Sequence, residues 1–199
     1  MSVWKNKQFF VILLVGVLVS CNSEAPYFPK PLGYHRVALP DHEYTKEFNQ
    51  PDCPFTYKYS NQAFVVPSQE NSCNHNLFYP RYKATLYASY VQLDQTNDKN
   101  NLFYHTESSR NLVYEHTIKA DKIEETLVEN DSTGVYGVTY DIAGNVASNY
   151  QFFLTDTTDH FFRAALYFET TPNIDSIQPI LDYIKVDLEE MVETFEWKK

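Results

Sequence analysis

Between Ile177 and Phe195 the apolar residues Ile177, Ile180, Leu181, Ile184, Leu188, Met191, Val192 and Phe195 step by 3, 1, 3, 4, 3, 1 and 3. These steps follow the period of an α-helix and put all of the side chains on one stripe. A stripe of that width must be buried against another element, and this requirement constrains the fold more than any other feature. Asp175 is placed to cap the helix, with Gln178 three residues on as in a capping box. Pro179 then falls in the first turn, where its missing donor is not needed.

What the stripe meets is read from the preceding residues. Tyr34–Leu39 and Phe55–Tyr59 are short, aromatic and β-branched runs bounded by proline, and they read as strands. Residues 60–83 carry Pro67, Pro80 and a polar tract, the pattern of an irregular excursion. In Ala84–Leu93, Thr85, Tyr87, Ser89 and Val91 alternate with Leu86, Ala88 and Tyr90, which predicts a strand. Ser109, Leu112, Val113, His116, Ala120 and Ile123 then fall at helical spacing and predict a helix over about 106–124. Val135–Ile142, Tyr150–Thr155 and Phe161–Phe168 are three further strand-like runs separated by turn residues, most economically an antiparallel meander. The predicted order is β-β-β-α-β-β-β-α. The expected fold is α+β, an antiparallel sheet of about six strands with two main helices packed on it.

The first 20 residues stand apart from this pattern. Lys5 and Lys7 precede an apolar run from Phe9 to Val19, too short for the roughly 20 residues of a spanning helix and of the length of a signal-peptide core. It ends Leu18-Val19-Ser20-Cys21, which resembles a bacterial lipobox. In that reading residues 1–20 are a lipoprotein signal peptide and Cys21 becomes the lipidated first residue. Several acyl chains such as palmitate make an anchor stable where one alone holds only reversibly. A plain secretory signal with a chance cysteine is the alternative. Residues 21–33 form a Pro-rich tether with Pro26, Pro29 and Pro31, and ten extended residues span about 30 Å. Residues 34–199 are expected to be a single α+β domain.

Removal of Lys5 and Lys7 takes the formal charge from −10 to −12. Such a surface disfavours nucleic-acid phosphates and anionic head groups, so nucleic acid is not an expected partner and the membrane is held through lipid. Cys53 and Cys73 remain after Cys21, an even pair in an oxidising compartment, and a disulfide between them is the default reading. Zinc is the competing idea because His75 follows closely, but two cysteines and one histidine do not complete a four-ligand site.

The sequence holds no GxSxG, HExxH or phosphate loop, so neither a catalytic residue, a cofactor site nor a metal site is assigned, and the expected class is non-enzymatic. His116 is the histidine to weigh, since the predicted helix puts it on an apolar face, where a core histidine with bonded ring nitrogens is expected over a general base. Asp156 and Asp159 suggest an Asx-type turn that needs no ion. The 16 tyrosines and 14 phenylalanines suit either half-wet contact surfaces or an aromatic-rich sheet. Asp131-Ser132-Thr133, Asp156-Thr157-Thr158 and Asp175-Ser176-Ile177 match Asp-Ser/Thr-X sites at which some bacteria O-glycosylate exported proteins, and turn and cap chemistry alone yields the same triplets.

Several strings carry a wider resemblance: Pro29-Lys-Pro-Leu-Gly-Tyr-His-Arg36, Cys53-Pro-Phe-Thr-Tyr57, Ser109 to Asp121, Gln151-Phe-Phe-Leu-Thr-Asp156, Arg163-Ala-Ala-Leu-Tyr-Phe168 and Glu193-Thr-Phe-Glu-Trp197. With them the chain resembles the gliding-motility lipoprotein GldD family over essentially its whole mature length. The resemblance implies a membrane-anchored accessory lipoprotein required for gliding and for assembly or stability of the linked type IX secretion machinery. Its implied partners are other proteins of that machinery, and its implied place is the cell envelope, facing the periplasm. No catalytic residues accompany the family. The alternative is a periplasmic binding module holding a small apolar or lipid-like ligand between sheet and helix, recognisable by an aromatic-lined pocket of about 300 Å³ or more.

Overall fold

In the computed structural model the described residues are 37–68, 73–170 and 173–198. The chain runs β1 (Lys46–Phe48), β2 (Phe55–Tyr59), β3 (Phe64–Pro67), β4 (His75–Tyr79), β5 (Ala84–Gln92), α1 (Leu102–Tyr114), a 3-10 turn (Glu115–Ile118), β6 (Ala120–Asn130), β7 (Val135–Gly144), β8 (Ser148–Thr155), β9 (His160–Phe168), α2 (Ile174–Glu193) and β10 (Glu196–Trp197). Seven strands form one sheet in the order β3-β4-β5-β9-β8-β7-β6, and β1, β2 and β10 form a second of three strands. Every neighbouring pair is antiparallel. The fold is α+β with helices packed on sheets, as the patterning implies.

The path explains what covers what. After β5 the chain passes through α1 to the far edge of the sheet, lays down β6, and returns strand by strand until β9 pairs with β5. α1 therefore rides over the outer face of the β7–β9 half. After β9 the chain crosses to the opposite, inner face as α2. There Leu181, Ile184, Leu188 and Met191 are buried with Leu86, Phe152, Leu154, Phe162 and Leu166 of the sheet. Each such side chain contributes about 1.5–3 kcal/mol by leaving water. The small sheet completes the inner layer with stacked rings: Phe48 lies 4.1 Å from His75 and 5.2 Å from Tyr57, and Phe55 lies 5.5 Å from Phe195.

Several expectations are corrected. Within residues 60–83, read as an irregular excursion, the described residues form β3 and β4, and Pro67 is tolerated because β3 is an edge strand. The helix predicted over about 106–124 ends at Tyr114, and Ala120 and Ile123 belong to β6. β6 is an edge strand largely exposed on both faces, so it lacks the two-residue apolar alternation that marks a half-buried strand. Val37–Leu39 carry no strand, and the remainder of that run lies outside the described residues. β1 and β10, too short to show a period, were not expected.

At α2 the cap position is Asn173 rather than Asp175, without a side-chain cap bond. The Ile174 N–H donates instead to Asn145 Oδ1 at 2.7 Å, while Gln178 donates to Asp182 rather than closing a capping box. Pro179 consequently lies beyond the first turn, inside the helix. Gly137 is required by close approach, since a Cβ there would overlap the Phe153 carbonyl. Gly134 closes the β6–β7 turn at φ +65°, a conformation open to glycine at little cost.

Candidate functional site

The outer face of the large sheet is divided. Over β7–β9, Val113 of α1 is buried with Tyr140, Ile142, Phe153 and Phe161, and Leu102 packs against them. Over β3–β5 no described helix lies on the sheet. The register puts Phe64 opposite Phe78, Asn76 opposite Tyr87, and Thr85 opposite Tyr167 on this outer side. Phe64 remains 56% exposed and Tyr87 52%, with Val66 and Tyr167 also open to solvent. The Tyr87 and Tyr167 rings meet edge to face at 5.6 Å. The outward positions of β3, β4, β5, β8 and β9 include no acidic residue in a chain of net charge −10. Arg163 is their one cation; it donates to Gln151 Oε1 at 2.7 Å, and no carboxylate among the described residues forms an ion pair with it. At the border, Lys46 Nζ lies 4.6 Å from the Phe64 ring centre. An exposed aromatic patch edged by cations suits association through apolar contact.

The acids gather elsewhere. Between β6–β7 and α2 a groove of about 540 Å³ is lined by Glu124, Glu125, Asp141, Glu189 and Glu193, together with Thr126, Val128, Thr139, Tyr150 and Val192. It lies between sheet and helix and has the size of a ligand site, but its lining is acidic rather than aromatic and does not suit an apolar or lipid-like occupant. Lys185 closes one end by donating to both Asp141 oxygens at 2.6 and 2.7 Å.

Two buried polar centres lie in the inner layer. Asp187 is 1% exposed, its Oδ1 accepting from His42 Nδ1 at 2.7 Å and from the Tyr44 hydroxyl at 3.0 Å. Burial and this carboxylate hold the Tyr44 and Tyr79 phenols well above the ordinary range. The Tyr183 ring stacks on His42 at 4.2 Å. The centre is a clamp: it ties residues 42–44, just before the first strand, to the last helix. Sequence reading missed Asp187, although its place four residues after Tyr183 and four before Met191 sets an acid on the apolar stripe, which is the signal that finds it.

The second centre is His75. Its Nδ1–H donates 3.0 Å to the Cys73 carbonyl, leaving Nε2 to accept from the Tyr57 hydroxyl. Burial lowers its pKa to about 4, so the ring is neutral. His75 is thus fully engaged in the core. Cys53 and Cys73 form a disulfide with Cα atoms 5.3 Å apart, as the even pair suggested, and neither is available to zinc.

His116 is not on a buried helix face. It occupies the 3-10 turn, half-buried, beside a 250 Å³ surface hollow lined by Ile118, Lys119 and Val146 among others. The reason is the early end of α1, which turns the chain toward β6. The turn after β8 is an Asx turn as read: Asp156 Oδ1 accepts from the backbone N–H groups of Thr158, Asp159 and His160 at 2.8–3.0 Å. Of the three candidate glycosylation residues, Ser132 and Thr157 are exposed in turns, Thr157 at φ 71°, whereas Ser176 is half-buried in the first turn of α2. Cys21, with the signal peptide and tether, lies outside the described residues.

No curated protein matches the sequence. Among solved structures, cyanobacterial PsbP (CyanoP) from Synechocystis sp. PCC 6803 is similar at a TM-score of 0.48 and 12% identity, over 84% of this chain and 99% of that one, a likeness too distant to carry a functional argument. The family comparison is decisive where these are not. Residues 24–197 match the family described as gliding motility lipoprotein GldD, from the edge of the tether to the last strand, and the chain belongs to that family.

Proposed function

We propose that this motility-associated lipoprotein is a non-enzymatic accessory component, anchored through acylated Cys21, facing the periplasm, and acting by contact on the gliding and linked type IX secretion machinery. The observation that supports contact is the bare half of the outer face. It is costly for a soluble domain to leave Phe64, Val66, Tyr87 and Tyr167 in water on one surface unless another molecule covers them. The family supplies the setting in motility and at a membrane.

The test is complementation of a deletion strain, scoring gliding and export of a type IX cargo together. Loss of the gene is expected to abolish gliding and impair export. His116→Gln, which retains a neutral hydrogen-bonding group but no proton shuttle, restores both. A Tyr87→Ser/Tyr167→Ser double variant, matched to wild type in level and melting temperature, restores neither. The reverse pattern, with His116→Gln inactive and the double variant active, would overturn contact in favour of chemistry.

A further inference from the structure

We infer that the bare half of the outer face seats one amphipathic α-helix of another protein, its apolar stripe lying on Phe64, Phe78, Tyr87 and Tyr167 and a carboxylate on its flank pairing with Arg163. This deepens the contact reading and rests on it.

Width comes first. Phe64, Phe78, Tyr87 and Tyr167 stand on the four adjacent strands β3, β4, β5 and β9, and strands spaced about 4.8 Å apart set Phe64 and Tyr167 roughly 14 Å apart across the strip. An α-helix with its side chains is about 10–12 Å across, so the strip takes one helix and not two. α1 already covers the other half in this manner, and it supplies a wall. Tyr114 leaves α1 toward β6, where its hydroxyl donates to Glu125 at 2.6 Å. Leu112, two residues earlier and so about 200° around the helix, leaves on the flank turned to the bare strip, where it stays partly exposed.

Charge selects among occupants. Arg163 is largely withdrawn from water, and among the described residues its guanidinium donates to the neutral Gln151 amide alone. A guanidinium so placed gains most from a carboxylate in forked geometry. A flat bilayer does not reach the strip, because α1 stands a helix diameter above it and would press Glu107 and Glu115 into the head groups first. Neither described helix of a second copy supplies the stripe. α1 exposes Phe103 and Tyr104, but Glu107, Asn111 and Glu115 interrupt its outward face so that no continuous apolar stripe forms, and the stripe of α2 is spent on the core.

The test places the photoreactive residue p-benzoylphenylalanine at position 87 of the full-length lipoprotein in living cells, with position 189 in the acidic groove as the comparison, and sequences the adducts. The expected adduct at 87 is a segment of another protein with apolar residues at helical spacing and Asp or Glu on one flank. A synthetic peptide of that segment should bind the purified full-length protein and lose about tenfold or more in affinity to Arg163→Gln, as expected for a charged hydrogen bond. Adducts at 87 to acyl chains, to a second copy or to a non-helical segment would overturn the inference, as would an unchanged affinity for Arg163→Gln. Adducts at 189 with none at 87 overturn this face and leave the contact reading standing. No protein adduct at either position, with normal gliding of the Tyr87→Ser/Tyr167→Ser variant, overturns both.

Discussion

Acidification should destabilise this domain in part through the buried ring of His75. In the folded chain its pKa is lowered to about 4 by burial, against an ordinary value of 6.5. The unfolded state then binds the proton more readily than the folded state does, so stability falls as pH falls. The contribution is intact above about pH 6.5 and is lost progressively down to pH 4. Between pH 7 and pH 5 the lost stability is about 2 kcal/mol, and below pH 4 it approaches roughly 3 kcal/mol. For a domain of this size the first figure corresponds to a drop of about 4–8 °C in melting temperature. Carboxylates also titrate in this range, so the quantity to measure is a difference. His75→Gln can donate to the Cys73 carbonyl and accept from Tyr57, as the neutral ring does, without titrating. Thermal unfolding of both proteins at pH 7 and pH 5 should show the wild type losing about 2 kcal/mol more than the variant. Parallel losses would refute the reasoning, as would an imidazole signal for His75 that titrates near pH 6.5 in the native state.

Leu188→Asp should prevent folding, because Leu188 is completely buried against the sheet and a carboxylate there has no partner; an unshifted thermal transition would contradict the packing. Leu188→Ala should fold with a loss of about 2–5 kcal/mol in denaturant titration. Reducing the Cys53–Cys73 bridge, which spans 20 residues, should cost about 3 kcal/mol in the chain-entropy model, and peptide mapping that finds both thiols unbridged in exported protein would remove the premise. Asp187→Ala should cost more than Asp187→Asn, since the amide still accepts from His42 and Tyr44; equal losses in urea would show that the clamp is not what the carboxylate maintains. Cys21→Ser should no longer partition into detergent as the mature lipoprotein does, and unchanged partition would exclude lipid at that residue.

What the sequence determined by itself is what short-range physics writes into it. The stripe from Ile177 to Phe195 announced its helix, because a 3.6-residue period over that length has one physical reading. The strands β2, β5, β7, β8 and β9 announced themselves through aromatic and β-branched residues beside clear turn chemistry. The bridge between Cys53 and Cys73 followed from parity and compartment, and the Asp156 turn from a side chain that bonds its own backbone. Family strings needed no structure at all.

The rest is decided by partners distant in sequence. β6 carries no period of its own since an edge strand exposed on both faces has none to carry, and only pairing with β7 makes it a strand. His116 left the apolar face assigned to it when α1 ended at Tyr114, a boundary set by the need to reach the sheet edge. Asp187 became a clamp through His42 and Tyr44, more than 140 residues earlier in the chain. Tyr87, in a strand read correctly, could not be known to lie in the open. Which face of a sheet is covered depends on where the crossover passes, and α1 passes over β7–β9 and leaves β3–β5 bare.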